Sequence, residues 1–338
     1  MNPTTATADA IRPAIPGLVL RPYRHGDAAA FAGVANADSE ADGLPWRTTA
    51  DEIENWFARP RPTFDAARDV LLVELDGRIV GSTNLQWVDT TDGLREFRIG
   101  CALVPEARRR GIGRWLLRVS EETSAARLAE QPTERPVVFG AWCPDARLGT
   151  IALLEQEGYR PVRYFFDMLR PTLDEIVLPP LPEELDLRPV RDDQVRQLWD
   201  ADVEAFLDHW GGFDASEPRF EAWRNDPKFD PSLFVVAWEG DEIAGGVINE
   251  INEAENAAFG RRKGWLAGVF VRRPWRRRGL ARALVMHSLA VLRDRGLTSA
   301  GLGVDADNAN AALRLYVECG FEVELRSAAY RKPFELTR

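Results

Sequence analysis

The chain has 338 residues and a formal net charge of −10, from 43 Lys and Arg against 53 Asp and Glu. That length predicts about two domains with ample core, and 45% apolar with 28% charged residues is globular composition. The acidity argues against a nucleic-acid binder, no run of about 18 apolar residues offers a membrane span, and Cys101, Cys143 and Cys319 lack zinc-site or disulfide-framework spacing, which fits a reducing cytoplasm.

Met1 to Ile15 lacks a basic start and an apolar run, so residues 1–16 read as a short disordered lead. Leu18–Arg21 reads as an opening strand that leads into a helical region. Val70–Leu75 and Ile79–Leu85 flank Asp76-Gly77, a hairpin signal. A strand at Glu96–Val104, an Arg/Gly segment at Arg108–Arg114, an amphipathic helix, a strand at Val137–Ala141, a short helix and a last strand complete the half. Pro171, Pro179, Pro180 and Pro182 fit neither a helix interior nor a central strand, so residues 173–184 read as a semi-rigid linker. The same order then returns. Leu185–Arg188 is the strand, and Leu233–Trp238 with Ile243–Ile248 is the hairpin around Glu239-Gly240-Asp241. Trp265–Val271 precedes Arg276–Arg282, a helix carries Leu280, Leu284, Leu289, Val291 and Leu292, and Ser299–Val304 follows.

The chain repeats itself. Leu20-Arg21-Pro22 returns as Leu187-Arg188-Pro189, offset by 167, and Arg108-Arg109-Arg110-Gly111-Ile112-Gly113-Arg114 as Arg276-Arg277-Arg278-Gly279-Leu280-Ala281-Arg282, offset by 168. Gly158-Tyr159 returns as Gly320-Phe321, offset by 162. A period this long means two whole domains rather than a solenoid. The expected division is 17–172, linker 173–184 and 185–338. The fold class is α/β, each domain a twisted mixed β-sheet flanked by helices.

The Arg/Gly segment sits where a strand turns into a helix. Small residues there let a ligand approach the backbone, helix-start N–H groups favour an anion, and Arg adds charge-assisted bonds to phosphate oxygens. Neither a Gly-Lys-Ser/Thr nor a G-x-G-x-x-G spacing is present, so this is neither a P-loop nor a dinucleotide fingerprint.

Arg276-x-x-Gly279-x-Ala281 and Arg108-x-x-Gly111-x-Gly113 both resemble the Arg/Gln-x-x-Gly-x-Gly/Ala motif of the GNAT acetyltransferase superfamily. The run from Asn308 through Tyr316 to Gly320-Phe321 is similar to that family's second motif. The resemblance spans Gly17 to Arg338 as a tandem pair. It implies acetyl-CoA as co-substrate, no metal, and a primary amine of a small molecule as acceptor. It further implies that backbone groups of Val269, Phe270 and Val271 pair with the pantetheine arm. Arg276, Arg277, Arg278, Gly279, Leu280, Ala281 and Arg282 would hold the pyrophosphate, with Asn310 on the cofactor side. Leu103, Arg109, Arg110, Gly111 and Gly113 are the first-half counterparts.

The resemblance also assigns Tyr316 as the acid that protonates the departing thiolate. Four residues before Gly158 stands Leu154, which has no proton to give, so the second half is expected to be catalytic and the first degenerate. The base is open. Glu250, Glu253, Glu255 and Asp305 lie near the central strand, and His209 lies in the helical region on the acceptor side. Trp210 and Trp223 flank that side as an aromatic wall. Asp202, Glu204 and Asp208 there either attract a cation or form a solvated helix face. The other functional readings are a non-catalytic acyl-CoA-binding sensor and a protein-modifying acetyltransferase.

Overall fold

The computed structural model describes residues 8, 10–207, 209–212, 214–307 and 312–334. They form two compact units. The first comprises the chain up to Val162, with Ser216–Pro227 and the stretch from Ala328; the second comprises Arg163–Ala215 and Lys228–Ser327.

In the first unit, β1 (Leu18–Pro22), β2 (Val70–Leu75), β3 (Arg78–Asp89) and β4 (Arg95–Leu103) form an antiparallel run, and β5 (Val137–Pro144) adds in parallel to β4. Asp76 and Gly77 both take positive φ, 50° and 79°, the tight turn that an Asp-Gly pair between two strands encodes. The helices are α1 (Ala28–Ala41), α2 (Ala50–Phe57), α3 (Ala66–Asp69), α4 (Ile112–Glu130) and α5 (Leu148–Gln156). Along α4 the buried positions include Ile112, Trp115, Leu116, Ser120, Ser124 and Arg127, a helical stripe that packs the sheet. Thr49 opens α2 with a capping box that closes on Glu52.

In the second unit the sheet order is β7-β8-β9-β10-β11-β6, with β6 at Arg160–Arg170, β7 at Asp186–Leu187, β8 at Val235–Glu239, β9 at Glu242–Glu250, β10 at Lys263–Val271 and β11 at Ser299–Asp305. Of these pairs, β10 with β11 is parallel and the others are antiparallel. Helices α6 (Val195–Phe206), α8 (Glu253–Phe259), α9 (Leu280–Asp294) and α10 (Ala312–Glu318) flank it, while α7 (Glu217–Arg224) falls in the first unit. Leu284, Leu289 and Leu292 of α9 are fully buried against Ala300 and Leu302 of β11 and Leu266 of β10. Each such side chain contributes about 1.5–3 kcal/mol on leaving water.

The compact units interleave along the chain rather than following the expected consecutive stretches 17–172 and 185–338. From Phe165 to Arg170, β6 pairs with β11, register Phe165 to Asp305 and Arg170 to Ala300, so it belongs to the second sheet. Helix α7 docks on α2, where the Asn55 amide donates to the Ala222 carbonyl (2.7 Å) and the Trp56 indole donates to Asp226 (2.9 Å). Linker residues pack too: Leu173 is buried in the second unit's core, with Ile176 and Leu181 against it. Finally, the described part of the lead is ordered. Ala8 is buried beside Trp115, Arg12 donates to the Leu18 carbonyl, and its guanidinium lies 5.7 Å from the Trp115 ring. Those contacts bury apolar surface that composition alone does not reveal.

Candidate active site

Both units build the same turn between strand and helix. In the second, β10 ends at Val271, a single 3-10 turn spans Arg273–Trp275, and Arg277 and Gly279 take φ of 65° and 83° before α9 begins. In the first, Arg109 and Gly111 take 60° and 84° before α4. A non-glycine residue at positive φ costs about 1–2 kcal/mol, so the recurrence of an arginine there is a repeated structural demand. The N-terminus of α9 has no side-chain cap, and a Cβ on Gly279 would meet nothing within 4 Å. Arg277, Arg278 and Arg282 are exposed around it. Uncapped helix N–H groups, open space and three guanidiniums fit a pyrophosphate.

Arg276 has a different job. Its Nε donates to the Val271 carbonyl (2.9 Å) and its Nη2 to the Ala205 carbonyl (3.3 Å), so the side chain braces the turn from within. Arg108 repeats this on the Leu103 carbonyl (3.3 Å) and the Asp38 carbonyl (2.9 Å). Here the repeat diverges. Arg108 also forms ion pairs with Asp38 and Asp42, both 2.8 Å, and Arg147 joins the same two carboxylates. At the offset of 167 that aligns the two braced carbonyls, Asp38 and Asp42 become Ala205 and His209. Arg108→Ala should destabilise the first unit by about 3 kcal/mol, because it strips one partner from a nearly buried Asp38. A urea midpoint unchanged from wild type would contradict this.

The strands part where a pantetheine arm could enter. β4 and β5 pair only through Arg98 and Gly140; β10 and β11 only through Leu266 and Leu302. In the first unit the gap opens into a cleft of about 580 Å³ lined by Leu103, Arg109, Gly111, Gly113, Trp142 and Leu154, among others. Trp142 and Trp46 lie 5.5 Å apart at this cleft. Arg110 is exposed and outside its lining. In the second unit the backbone itself differs. β9 and β10 shift register between Leu266 and Gly268, a bulge at Ala267. The equivalent β3–β4 ladder runs from Gly81–Leu103 to Asp89–Arg95 without a break. A bulge re-aims backbone N–H groups, which is why bulges gather at active sites. Past it, Val269 and Val271 pack towards the core, while the buried Phe270 ring lies over Gly246.

Tyr316 lies in α10, buried, with its ring 6.1 Å from Phe321. Burial holds its phenol above the usual tyrosine range, so the hydroxyl keeps its proton. Leu154 is buried at the matching place on α5. Asn310 and Asp208 lie outside the described residues.

The candidate bases separate by environment. Glu250 faces Trp265 across the ladder, before the bulge, with Lys228 at 4.0 Å. Asp305 is held by Arg163 through contacts of 2.8–2.9 Å. Glu255 pairs with Arg261, and its backbone N–H donates to the capping Asn252 side chain at the start of α8; Glu253 is exposed. His209 stacks on Phe206 at 4.5 Å just after α6. Trp210 lies 6.0 Å from Phe165 and 5.5 Å from the Arg163 guanidinium, and Trp223 lies on α7, which belongs to the first unit. Glu204 is exposed and pairs with Arg272 at 2.8 Å.

Asp202 is the residue whose weight the sequence did not convey. Its Oδ1 is buried and has no hydrogen-bond partner among the described residues, and burial alone pushes the carboxyl up to about 7. An acid whose folded pKa lies above its unfolded value, ~3.9, stabilises the fold fully at low pH, and that stability drains away as pH rises through the folded value. Asp202→Asn should therefore gain thermal stability over wild type between about pH 5 and pH 8, worth at least a few degrees at the upper end. A melting temperature at pH 8 equal to or below that of wild type would contradict the assignment.

A turn whose geometry suits a pyrophosphate and a splayed sheet, each built twice, point to a class of acyl-CoA-dependent enzymes, and comparison supports that class. Residues 17–152 match a family described as Acetyltransferase (GNAT) domain, and residues 195–321 one described as Acetyltransferase (GNAT) family. The chain is 31% identical to a mycothiol acetyltransferase of Salinispora arenicola over 85% of its own length and 87% of that protein's. It is 28% identical to another from Geodermatophilus obscurus, covering 90% and 94%. A GCN5-related N-acetyltransferase from Sphaerobacter thermophilus superposes with a TM-score of 0.69 at 29% identity, covering 95% of this chain and 97% of that one. A tandem GNAT protein from the clavulanic acid biosynthesis pathway gives 0.67 at 17% identity, with coverage of 95% and 100%, a likeness of fold. This chain belongs to the GNAT acetyltransferase family and is an acetyl-CoA-dependent N-acetyltransferase homologous to mycothiol acetyltransferase. Among the described residues no helix is long and apolar enough to cross a membrane, and no group of three His, Cys, Asp or Glu is placed to hold a metal.

Proposed function

We propose that the second unit transfers the acetyl group of acetyl-CoA to a primary amine of a small molecule, and that the acceptor is the unacetylated, amine-bearing form of mycothiol. One observation carries the first part. The β10 bulge and Tyr316 occur together in the second unit, and the first unit has a regular ladder and Leu154 in their places. The curated relatives' name supports the acceptor.

Acetyl-CoA supplies the acyl group as an activated thioester. The turn from Arg277 to Arg282 fixes the pyrophosphate end, and the splayed edge at Val269–Val271 fixes the arm, so much of the rate comes from alignment. A backbone N–H near Val269, re-aimed by the bulge, stabilises negative charge on the carbonyl oxygen. The Tyr316 hydroxyl donates to the sulfur as charge gathers there. Because burial raises the phenol, full proton transfer to a thiol of pKa about 8.5 is uphill, and the hydroxyl serves first as a hydrogen-bond donor.

The first unit, in this reading, binds CoA without turnover. Its support is the cleft of about 580 Å³ running from the Arg109–Gly111 turn to Leu154. The experiment is thiol release from acetyl-CoA against a panel of primary amines that includes the unacetylated mycothiol precursor. Amine-dependent release is expected; acetyl-CoA binding with no release on any amine would favour a sensor.

A further inference from the structure

We propose that Asp202 receives the acceptor: its carboxylate holds the incoming ammonium beside the β10 bulge and takes the proton that frees the nitrogen lone pair. This rests on the reading of the second unit as the catalytic one.

Position comes first. Asp202 projects from α6 onto the strand, and its Oδ1 lies 3.5 Å from where a Cβ on Gly268 would stand. Gly268 is the residue at which the ladder resumes after the bulge. The absence of a side chain there leaves room beside both the carboxylate and the re-aimed backbone.

Chemistry comes next. A desolvated carboxylate without a donor is an unfavourable thing to keep in a fold, and a cationic ligand is what relieves it. Among the described residues, the charged groups on the elements packed against α6 do not pair with Asp202: the preceding 3-10 turn offers only Asp192 and Asp193, and Arg276 is turned to the Val271 and Ala205 carbonyls. On β9 the charged groups are Glu242 and Glu250; on β10 the one cation is Lys263, which pairs with Glu324 at 3.6 Å. On α6 itself, Arg196 pairs with Asp200 and Glu204 with Arg272. Asp305, a buried carboxylate on β11, already has Arg163.

The repeat provides an internal control. At the offset of 167 that matches the Asp38 and Ala205 carbonyls, Asp202 aligns with Ala35. The carboxylate, the bulge and the tyrosine are thus present in one unit and missing from the other as a set.

The step balances. Asp202 takes one proton from the ammonium, and the freed nitrogen pair forms the C–N bond to the thioester carbonyl carbon. The C–S bond breaks and its electron pair leaves on sulfur. The nitrogen's second proton ends on the departing sulfur, which the Tyr316 hydroxyl meets with its hydrogen bond as the C–S bond breaks. Asp202 returns its proton to solvent, one per amide formed.

The test measures thiol release with the unacetylated mycothiol precursor for wild type, Asp202→Asn and Asp202→Glu. Asp202→Asn should lower kcat/KM for the amine by about 100-fold or more and leave acetyl-CoA affinity intact by calorimetry. Its rate should recover as pH approaches the amine's own pKa, because solution then supplies the neutral nucleophile. Asp202→Glu should retain part of the activity. The melting curve at pH 8 separates chemistry from misfolding. Asp202→Asn turnover within about threefold of an active wild type, or lost acetyl-CoA affinity together with lost folding, overturns the proposal alone. A wild type that binds acetyl-CoA but acetylates no amine overturns the underlying reading, and this assignment with it.

Discussion

Tyr316→Phe should cut kcat by about 100-fold or more, the usual scale for a positioned acid, with acetyl-CoA affinity near that of wild type. The substitution removes one oxygen from a ring that is otherwise packed against Phe321, so the core is unchanged in shape. Burial keeps the wild-type phenol protonated over the whole working range, which leaves the donor ready without any pH adjustment. The loss should therefore fall on kcat rather than on binding, the signature of an interaction made only as the C–S bond breaks. Turnover equal to wild type would remove Tyr316 from the reaction.

Gly279→Glu should abolish acetyl-CoA binding by the second unit. The position can accept a side chain sterically, since nothing lies within 4 Å of a Cβ, but its φ of 83° makes any such residue strained. Gly279→Ala carries the same strain, on the order of 1–2 kcal/mol, without the charge. The alanine variant should lose affinity modestly and the glutamate variant entirely, because only the latter sets a carboxylate among the N–H groups and arginines meant for phosphate. Calorimetric titration reads the difference. Equal losses would mean that backbone strain rather than anion binding governs the site.

Much of this was legible in the sequence because the chain is written twice. Hairpin strands expected at Val70–Leu75 and Ile79–Leu85 appear at Val70–Leu75 and Arg78–Asp89, since an Asp-Gly turn fixes the register locally. The strand-to-helix turn is legible in the Arg and Gly spacing, and both copies place an arginine and a glycine at positive φ. What escaped was non-local. Nothing in residues 160–170 says which sheet β6 joins, because strand pairing is a tertiary choice. The same holds for α7, which groups with the first unit although it lies in the second half of the chain. The bulge at Ala267 is a single-residue slip that alternation does not show. Asp202 looked like one acid among three on a helix; Glu204 is exposed, Asp202 buries an oxygen, and only packing tells them apart. The mismatch with Ala35 was the signal within reach.

The central claim is that chemistry belongs to the second unit and that the first can at most bind. The most direct measurement is amine-dependent thiol release by Gly279→Glu, on a sample first titrated with acetyl-CoA. Any remaining binding is expected to come from the first unit, with no thiol released. Release at the wild-type rate from that sample would place the reaction in the first unit and contradict the account.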